Sequence, residues 1–165
     1  MTVPDIQLPS EVSQKWQEIV DLLANILHVP AALVMKVEPP SIRVLVSSKS
    51  NGNPYQKDEV AALNTGLYCE TVMKTRQSLL VSDARADEDW KSNPDVKVGM
   101  VSYLGFPITW PDGKIFGTIC VLDTKRTTMG MCTENSSSTA VMYCKRIEIG
   151  SKARCGADLT KGAAR

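Results

Sequence analysis

Long hydrophobic runs are missing from this chain. The longest aliphatic stretch, Ala31–Met35, has five residues, against the roughly 20 that a membrane-spanning helix needs. An excess of one charge is missing as well: 19 Lys and Arg face 18 Asp and Glu. The net charge of +1 supplies no global attraction for nucleic acid or an anionic bilayer, so neither is expected as a partner. No Lys or Arg precedes Lys15, so the basic start of a secretory leader is absent and a cytoplasmic location is expected. Histidine occurs once, as His28; a site built on two imidazoles is excluded, and Ser-His or Cys-His chemistry has one possible base. The cysteines, Cys69, Cys120, Cys132, Cys144 and Cys155, form no C-x-x-C pair, which removes zinc-ribbon and thioredoxin spacings. With no export signal, their default state is the reduced thiol. Neither glycine motif for phosphate, G-x-x-x-x-G-K-[ST] or G-x-G-x-x-G, is present.

What remains is the composition of a folded domain. At 165 residues, 43% hydrophobic and 22% charged, the chain has enough material for one sizeable core and too little for two ordinary ones. Residues 1–9 read as a flexible lead bracketed by Pro4 and Pro9. Ser10 is placed to cap a helix over about 11–28, since Val12, Trp16, Ile19, Leu23, Ile26 and Leu27 follow a 3.6-residue period and Pro30 supplies the stop.

Two β-branched runs, Ala31–Val37 and Ile42–Ser47, flank Pro39-Pro40 and predict a hairpin. Asn51-Gly52-Asn53-Pro54 opens a polar loop. A short helix is expected over Leu67–Thr75, with Leu67, Thr71, Val72 and Thr75 on one face, followed by a brief strand at Ser78–Ser82. Asp83–Met100 reads as a long acid-rich excursion with one or two helical turns. Val101–Trp110 and Lys114–Leu122, joined through Pro111-Asp112-Gly113, form a second hairpin. Short connections of this kind predict an α+β fold with a mainly antiparallel sheet.

After Asp123 the pattern is lost. Residues 130–165 hold three of the cysteines, a Ser136-Ser137-Ser138 run and no apolar period. We read 129–165 as an atypical tail, disordered or irregular, with two origins open. One is a natural disordered extension. The other is a frameshift: joining the last base of each codon from Met131 onward to the first two of the next permits a sequence whose apolar residues fall at helical spacing.

The stretch "GLYCETVMKTRQSLLVSDARADEDW" and the later "VSYLGFPITWPDGKIFGTICVLD" resemble a GAF domain, the small-molecule-sensing module of bacterial signalling proteins. The resemblance runs from Trp16 to Asp123, within a domain bounded at about 10–128. It implies a GAF/PAS-like fold, with a five- or six-stranded antiparallel sheet, terminal helices on one face and a ligand pocket on the other. Family members usually close with an amphipathic helix after the "VLD" strand; this chain departs there, and the alternative frame would restore it. Carried over position by position, the resemblance places Tyr68, Cys69, Asp83, Trp90, Val98, Met100, Tyr103 and Thr118 around the pocket. It leaves the ligand and any cofactor unspecified.

More specific readings are weaker. Some GAF proteins reduce free methionine-R-sulfoxide through cysteines, one of them near Cys69. That chemistry needs a second thiol close by, none occurs between Cys69 and Cys120, and Cys120 reads as a core residue of its strand. Bilin-binding members attach chromophore through a Cys usually followed by His, whereas Cys69 precedes Glu70 and Cys120 precedes Val121. Haem would need His28 as its axial ligand, yet His28 is accounted for by its place at a helix C-terminus. The acid cluster Asp83, Asp87, Glu88 and Asp89 reads as a solvated face rather than a metal site, with Asp83 the exception because it directly follows a strand where the pocket should begin, and the N-K-F-D-E signature of cyclic-nucleotide members is absent.

The expectation is a non-catalytic sensory domain that forms a homodimer through the first helix, with Trp16 and Leu23 as contact residues. A kinase or cyclase elsewhere would supply the output. A module that only dimerises or docks remains the structural rival. Resequencing the source DNA across the codons for Lys125–Met131 tests the tail. An inserted or deleted base is the outcome the frameshift requires, and an intact frame encoding the chain as given removes it.

Overall fold

The computed structural model describes residues 8–127; the lead at 1–7 and the tail from 128, with the frameshift reading attached to it, lie outside the described residues. The chain opens with α1 (Ser10–Leu27), the helix expected from the 3.6-residue period. Ser10 does not cap it. Pro9 holds the N-cap position without a side-chain hydrogen bond, so Ser10 already lies inside the helix. At the other end His28 takes a left-handed conformation, and its region donates backbone bonds to Ala24 and Asn25, closing the helix before Pro30.

Strands β1 (Ala31–Glu38) and β2 (Ser41–Ser47) form the first hairpin around Pro39-Pro40. Residues Val60–Ala62, inside the stretch that the sequence presents as polar loop, add a third strand, β3, along the edge of β2. Then come α2 (Tyr68–Thr75), β4 (Leu79–Val81), a single 3-10 turn at Ala84–Ala86 and the one-turn α3 (Pro94–Lys97). Strands β5 (Ser102–Thr109) and β6 (Ile115–Asp123) form the second hairpin. The six strands lie in the order β3-β2-β1-β6-β5-β4 with every pairing antiparallel. This is the α+β architecture expected, at the six-stranded end of the range.

The central pair, β1 and β6, is buried on both faces. Ala31, Leu33 and Met35 join one core cluster, while Ala32 and Val34 join the other. Alternation of this kind divides side chains cleanly between two layers. Two irregularities adjust the division. Between the pairs Val34↔Val46 and Met35↔Val44 the β2 strand carries one extra residue, Leu45. Val44 therefore faces the α2 side and Val46 the α1 side, although they are two apart. Phe116 is likewise the extra residue between Ile108↔Gly117 and Thr109↔Ile115. It turns toward α1, where Trp16 and Trp110 meet its ring edge-on at centroid distances of 5.2 and 5.0 Å. Each bulge changes which layer a side chain enters.

Helix α1 covers one face through Val20, Leu23 and Ala24. Its orientation is fixed at the rim, where Gln17 Nε2 donates to the Ser47 carbonyl at 2.9 Å and Asp21 Oδ1 accepts from Lys49 N at 2.7 Å. Trp16 and Leu23, expected at a dimer contact, instead face this chain's own sheet. The outward apolar residues of α1 are Leu22 and Ile26. Helix α2 and the 83–101 excursion cover the opposite face.

The sheet closes most tightly at Gly117. A Cβ built there would lie 1.8 Å from the Met35 carbonyl oxygen, a backbone atom of the neighbouring strand that cannot swing aside. Gly117→Ala is expected to destabilise the fold by at least about 3 kcal/mol, the upper end of overpacking costs. Urea denaturation measures it, and a loss below about 1 kcal/mol would show that the β1–β6 pairing is not constrained here.

Candidate functional site

The loop before α2 is organised by one carboxylate. Glu70 accepts backbone hydrogen bonds from Asn64, Thr65, Gly66 and Leu67 at 2.9–3.1 Å, satisfying amides that would otherwise lack partners at the helix start. The buried face that results is Tyr68, Cys69 and Val72, one residue offset from the expected face; Leu67 precedes the helix as its N-cap. Asn93 then ties the excursion to this loop. Its Nδ2 donates to the Gly66 carbonyl at 2.7 Å, and its Oδ1 accepts from Asp95 N at 2.8 Å.

Beneath these elements lies a cavity of about 200 Å³. Its floor is the sheet, through Leu33, Met35, Val44, Cys120 and Leu122; its walls include Tyr55, Leu67, Cys69, Asp95 and Tyr103. The mouth opens between Glu59 and Val98, both exposed. A larger hollow of about 660 Å³ beside the end of α1 is an open groove lined mainly by polar loop residues. The smaller, mostly apolar cavity is the better candidate for a ligand, since such sites are concave with a few placed polar groups.

Of the eight candidate residues, Cys69, Val98 and Tyr103 line this cavity. Tyr68, Trp90 and Met100 form its outer packing. Tyr68 stacks on Tyr103 at 4.7 Å and meets Trp90 at 5.2 Å, and its hydroxyl donates to the Met100 carbonyl at 3.4 Å. Thr118 is fully buried behind Cys69 and donates to its sulfur at 3.3 Å. Asp83 sits apart, capping the 3-10 turn and pairing with Arg85 at 2.8 Å. Of the other acids near it, Asp87 accepts from Asp89 N and Glu88 pairs with Lys91. Among the described residues no three potential metal ligands converge.

The sequence reading missed Tyr55, Glu59 and Asp95. Tyr55 lies in the polar loop and Asp95 among many acids, and nothing in either neighbourhood separates them from solvated residues. Folding joins them across 40 positions: Tyr55 donates to Asp95 Oδ1 at 2.7 Å. Burial raises the Asp95 carboxyl above its ordinary range; the Tyr55 hydrogen bond opposes this and the Glu59 charge adds to it. Burial also raises Tyr55, with Asp95 contributing, so the phenol stays protonated and donating.

Cys120 is the core residue of its strand that the sequence predicts, and it also lines the cavity. Tyr103 lies along its own strand over Gly105, where a Cβ would come within 2.0 Å of the Tyr103 hydroxyl. Gly105 pairs across the ladder with Cys120. The Tyr103 hydroxyl thereby reaches Cys69 Sγ at 3.5 Å, and Cys69 and Cys120 line the same cavity. The neighbouring Cys120 and the Thr118 and Tyr103 hydroxyls lower the Cys69 thiol against the opposing effect of burial; Cys120 is raised by Cys69 and by its own burial.

The model of the GAF domain family matches residues 11–149. Among solved structures the chain is similar to the GAF domain of an Acinetobacter phosphoenolpyruvate-protein phosphotransferase, with TM-score 0.58 and 16% identity over 81% of this chain and 77% of that one. It is also similar to the blue-light absorbing form of the Thermosynechococcus elongatus PixJ GAF domain, with TM-score 0.57 and 15% identity over 74% and 76%. A third is a type II free methionine-R-sulfoxide reductase from Thermoplasma acidophilum, with TM-score 0.54 and 13% identity over 70% and 77%. At these identities the likeness shows the fold alone. No curated protein matches the chain.

Asp95 generates a pH prediction. Its native pKa lies above its unfolded value, so its contribution is most favourable below the unfolded pKa and is lost as pH rises through the native one. Asp95→Asn keeps an acceptor for Tyr55 and removes that loss. The variant is expected to gain stability relative to the parent between pH 4 and pH 7, read from urea midpoints; a relative loss over the same interval contradicts the assignment.

Proposed function

The chain belongs to the GAF domain family, and on that premise we propose that it is a non-catalytic sensory domain whose ligand occupies the cavity between α2 and the sheet. The observation that carries this reading is the cavity itself: mostly apolar walls with a Tyr55–Asp95 pair at one side and an opening at Glu59 and Val98. At about 200 Å³ it falls below the roughly 300–1,000 Å³ of sites for drug-sized ligands, which favours a smaller molecule over a tetrapyrrole or haem. Its lining includes two carboxylates and no Lys, Arg or His. An anion would lose its hydration there without gaining a counter-charge. A small neutral or cationic molecule, with an apolar body and a hydrogen-bond donor for Asp95, meets the walls better.

Ligand binding would act by favouring one arrangement of α2 and the excursion over another, which requires different affinities for the two. The sheet lies between that layer and α1, giving a route to a homodimer formed through the outward residues Leu22 and Ile26. The output, from a kinase or cyclase, would lie with another domain or partner, and the location is proposed as cytoplasmic. The reductase reading gains one point from the structure, because Cys69 shares its cavity with a second cysteine, Cys120. Turnover of free methionine-R-sulfoxide that disappears in Cys69→Ser would establish it in place of the non-catalytic reading.

The intact mass of the purified protein under native and then denaturing conditions tests the sensor. A stoichiometric excess mass that is lost on denaturation is expected. In Ala61→Phe, which projects a ring into the cavity from a half-buried position, the excess should vanish while thermal unfolding stays cooperative. An excess that survives denaturation indicates covalent modification. Its absence under both conditions favours the docking module.

A further inference from the structure

Cys69 comes from α2, which roofs the cavity, and Cys120 from β6, which floors it. They are 51 positions apart in sequence, yet both side chains line the same mostly apolar cavity. Two hydroxyls converge on the same point: Thr118 Oγ1 lies 3.3 Å from Cys69 Sγ, and the Tyr103 hydroxyl lies 3.5 Å from it. Thr118 is two residues before Cys120 on the same strand, and the ring of Tyr103 is held down by the missing side chain of Gly105, the ladder partner of Cys120. Sheet register, a glycine and the helix start therefore fix the position of both sulfurs. Both thiols are free.

We propose that Cys69 and Cys120 are a reversible oxidation site, converted by a small hydroperoxide to a disulfide that staples α2 to β6 across the cavity. The oxidant is named by class because it must fit the cavity, and hydrogen peroxide is the smallest member. In the first step Cys69 sulfur attacks a peroxide oxygen. The S–O bond forms, the O–O bond breaks, and the thiol proton leaves with the departing oxygen as water. Cys69 is then a sulfenic acid. In the second step Cys120 sulfur attacks Cys69 sulfur, the S–S bond forms, and the S–O bond breaks. The hydroxyl leaves with the Cys120 proton as a second water. The two thiols lose two electrons, the peroxide gains them, and an external dithiol reverses the change by exchange.

Cys69 is the attacking sulfur on geometric grounds. It receives the hydrogen bonds that stabilise a thiolate, from Thr118 and from the Tyr103 hydroxyl. Its lowered pKa agrees with that assignment. Cys120, raised and facing Cys69, is the resolving thiol. The disulfide exchanges two weakly polar thiols for a covalent link between roof and floor, so cavity shape would follow redox state. The oxidation site does not depend on whether the cavity also holds a ligand.

The test uses the full chain, because Cys132, Cys144 and Cys155 provide internal competitors. The protein is treated with hydrogen peroxide, its remaining thiols are alkylated after denaturation, and it is digested with trypsin without reduction. Cleavage after Lys57, Lys74, Lys114 and Lys125 puts Cys69 and Cys120 on separate peptides, 58–74 and 115–125. The expected product is these two peptides joined, one cross-link per chain, disappearing with dithiothreitol. In Cys120→Ala the resolving thiol is absent, and Cys69 should instead be trapped as a sulfenic acid by dimedone. Three results overturn the proposal: both thiols alkylated after peroxide has consumed the other three, either thiol joined only to a tail cysteine, or Cys69 oxidised past the sulfenic acid while Cys120 stays a thiol. The wild-type cross-link needs no variant, so a folding failure of Cys120→Ala leaves the test decisive.

Discussion

The pairing of β1 with β6 is the constraint on which the other features of this domain rest. Both strands are buried on two faces, so every side chain must suit one layer or the other and no solvent edge absorbs an error in register. The strands approach so closely at Gly117 that a single methyl group would meet the Met35 carbonyl. With that register set, Cys120 and Leu122 belong to the cavity floor and Ile119 and Val121 to the layer beneath α1. The bulges at Leu45 and Phe116 supply two local exceptions. One turns Val44 into the floor of the cavity, and the other delivers Phe116 to Trp16 of α1 and to Trp110.

The cavity exists because the layer above the sheet is held up by polar struts rather than collapsed onto it. Glu70 fixes the loop entering α2, Asn93 joins that loop to the excursion, and Tyr55 joins the excursion to the β2–β3 connection through Asp95. The Asn93 and Tyr55 bonds join segments distant in sequence whereas the Glu70 bonds are local, and polar contacts of this kind specify geometry more than they add stability. Aromatic packing of Tyr68 between Trp90 and Tyr103 closes the side away from the mouth.

Much of the fold was legible before any coordinates. The period of Trp16, Ile19, Leu23 and Ile26 marked α1, and the Pro39-Pro40 and Pro111-Asp112-Gly113 breaks marked both hairpins. These signals are local: they depend on residues within a turn or two of each other. Strand β3 escaped because three residues, mostly exposed, carry no alternation to read. Ser10 was misassigned as a cap because its residue type suits that role, while the backbone begins the helix one position earlier. Trp16 and Leu23 looked available for a partner because a helical period says that a face is apolar without saying what it meets.

The candidate site was legible only in part, for the same reason. Family resemblance placed Cys69 and Tyr103 at the pocket, and Cys69, Val98 and Tyr103 do line the cavity. Asp95 and Tyr55 acquire meaning only when folding joins positions 40 apart in sequence, and Cys120 only when the β5–β6 register sets it opposite Gly105 beneath Tyr103. By itself the sequence determined the elements, their order and the α+β class, because hydrophobic period and turn chemistry act over short range. Tertiary structure alone decided which side chains, two cysteines among them, share the cavity, because those distances are set by register, bulges and the absence of a single Cβ.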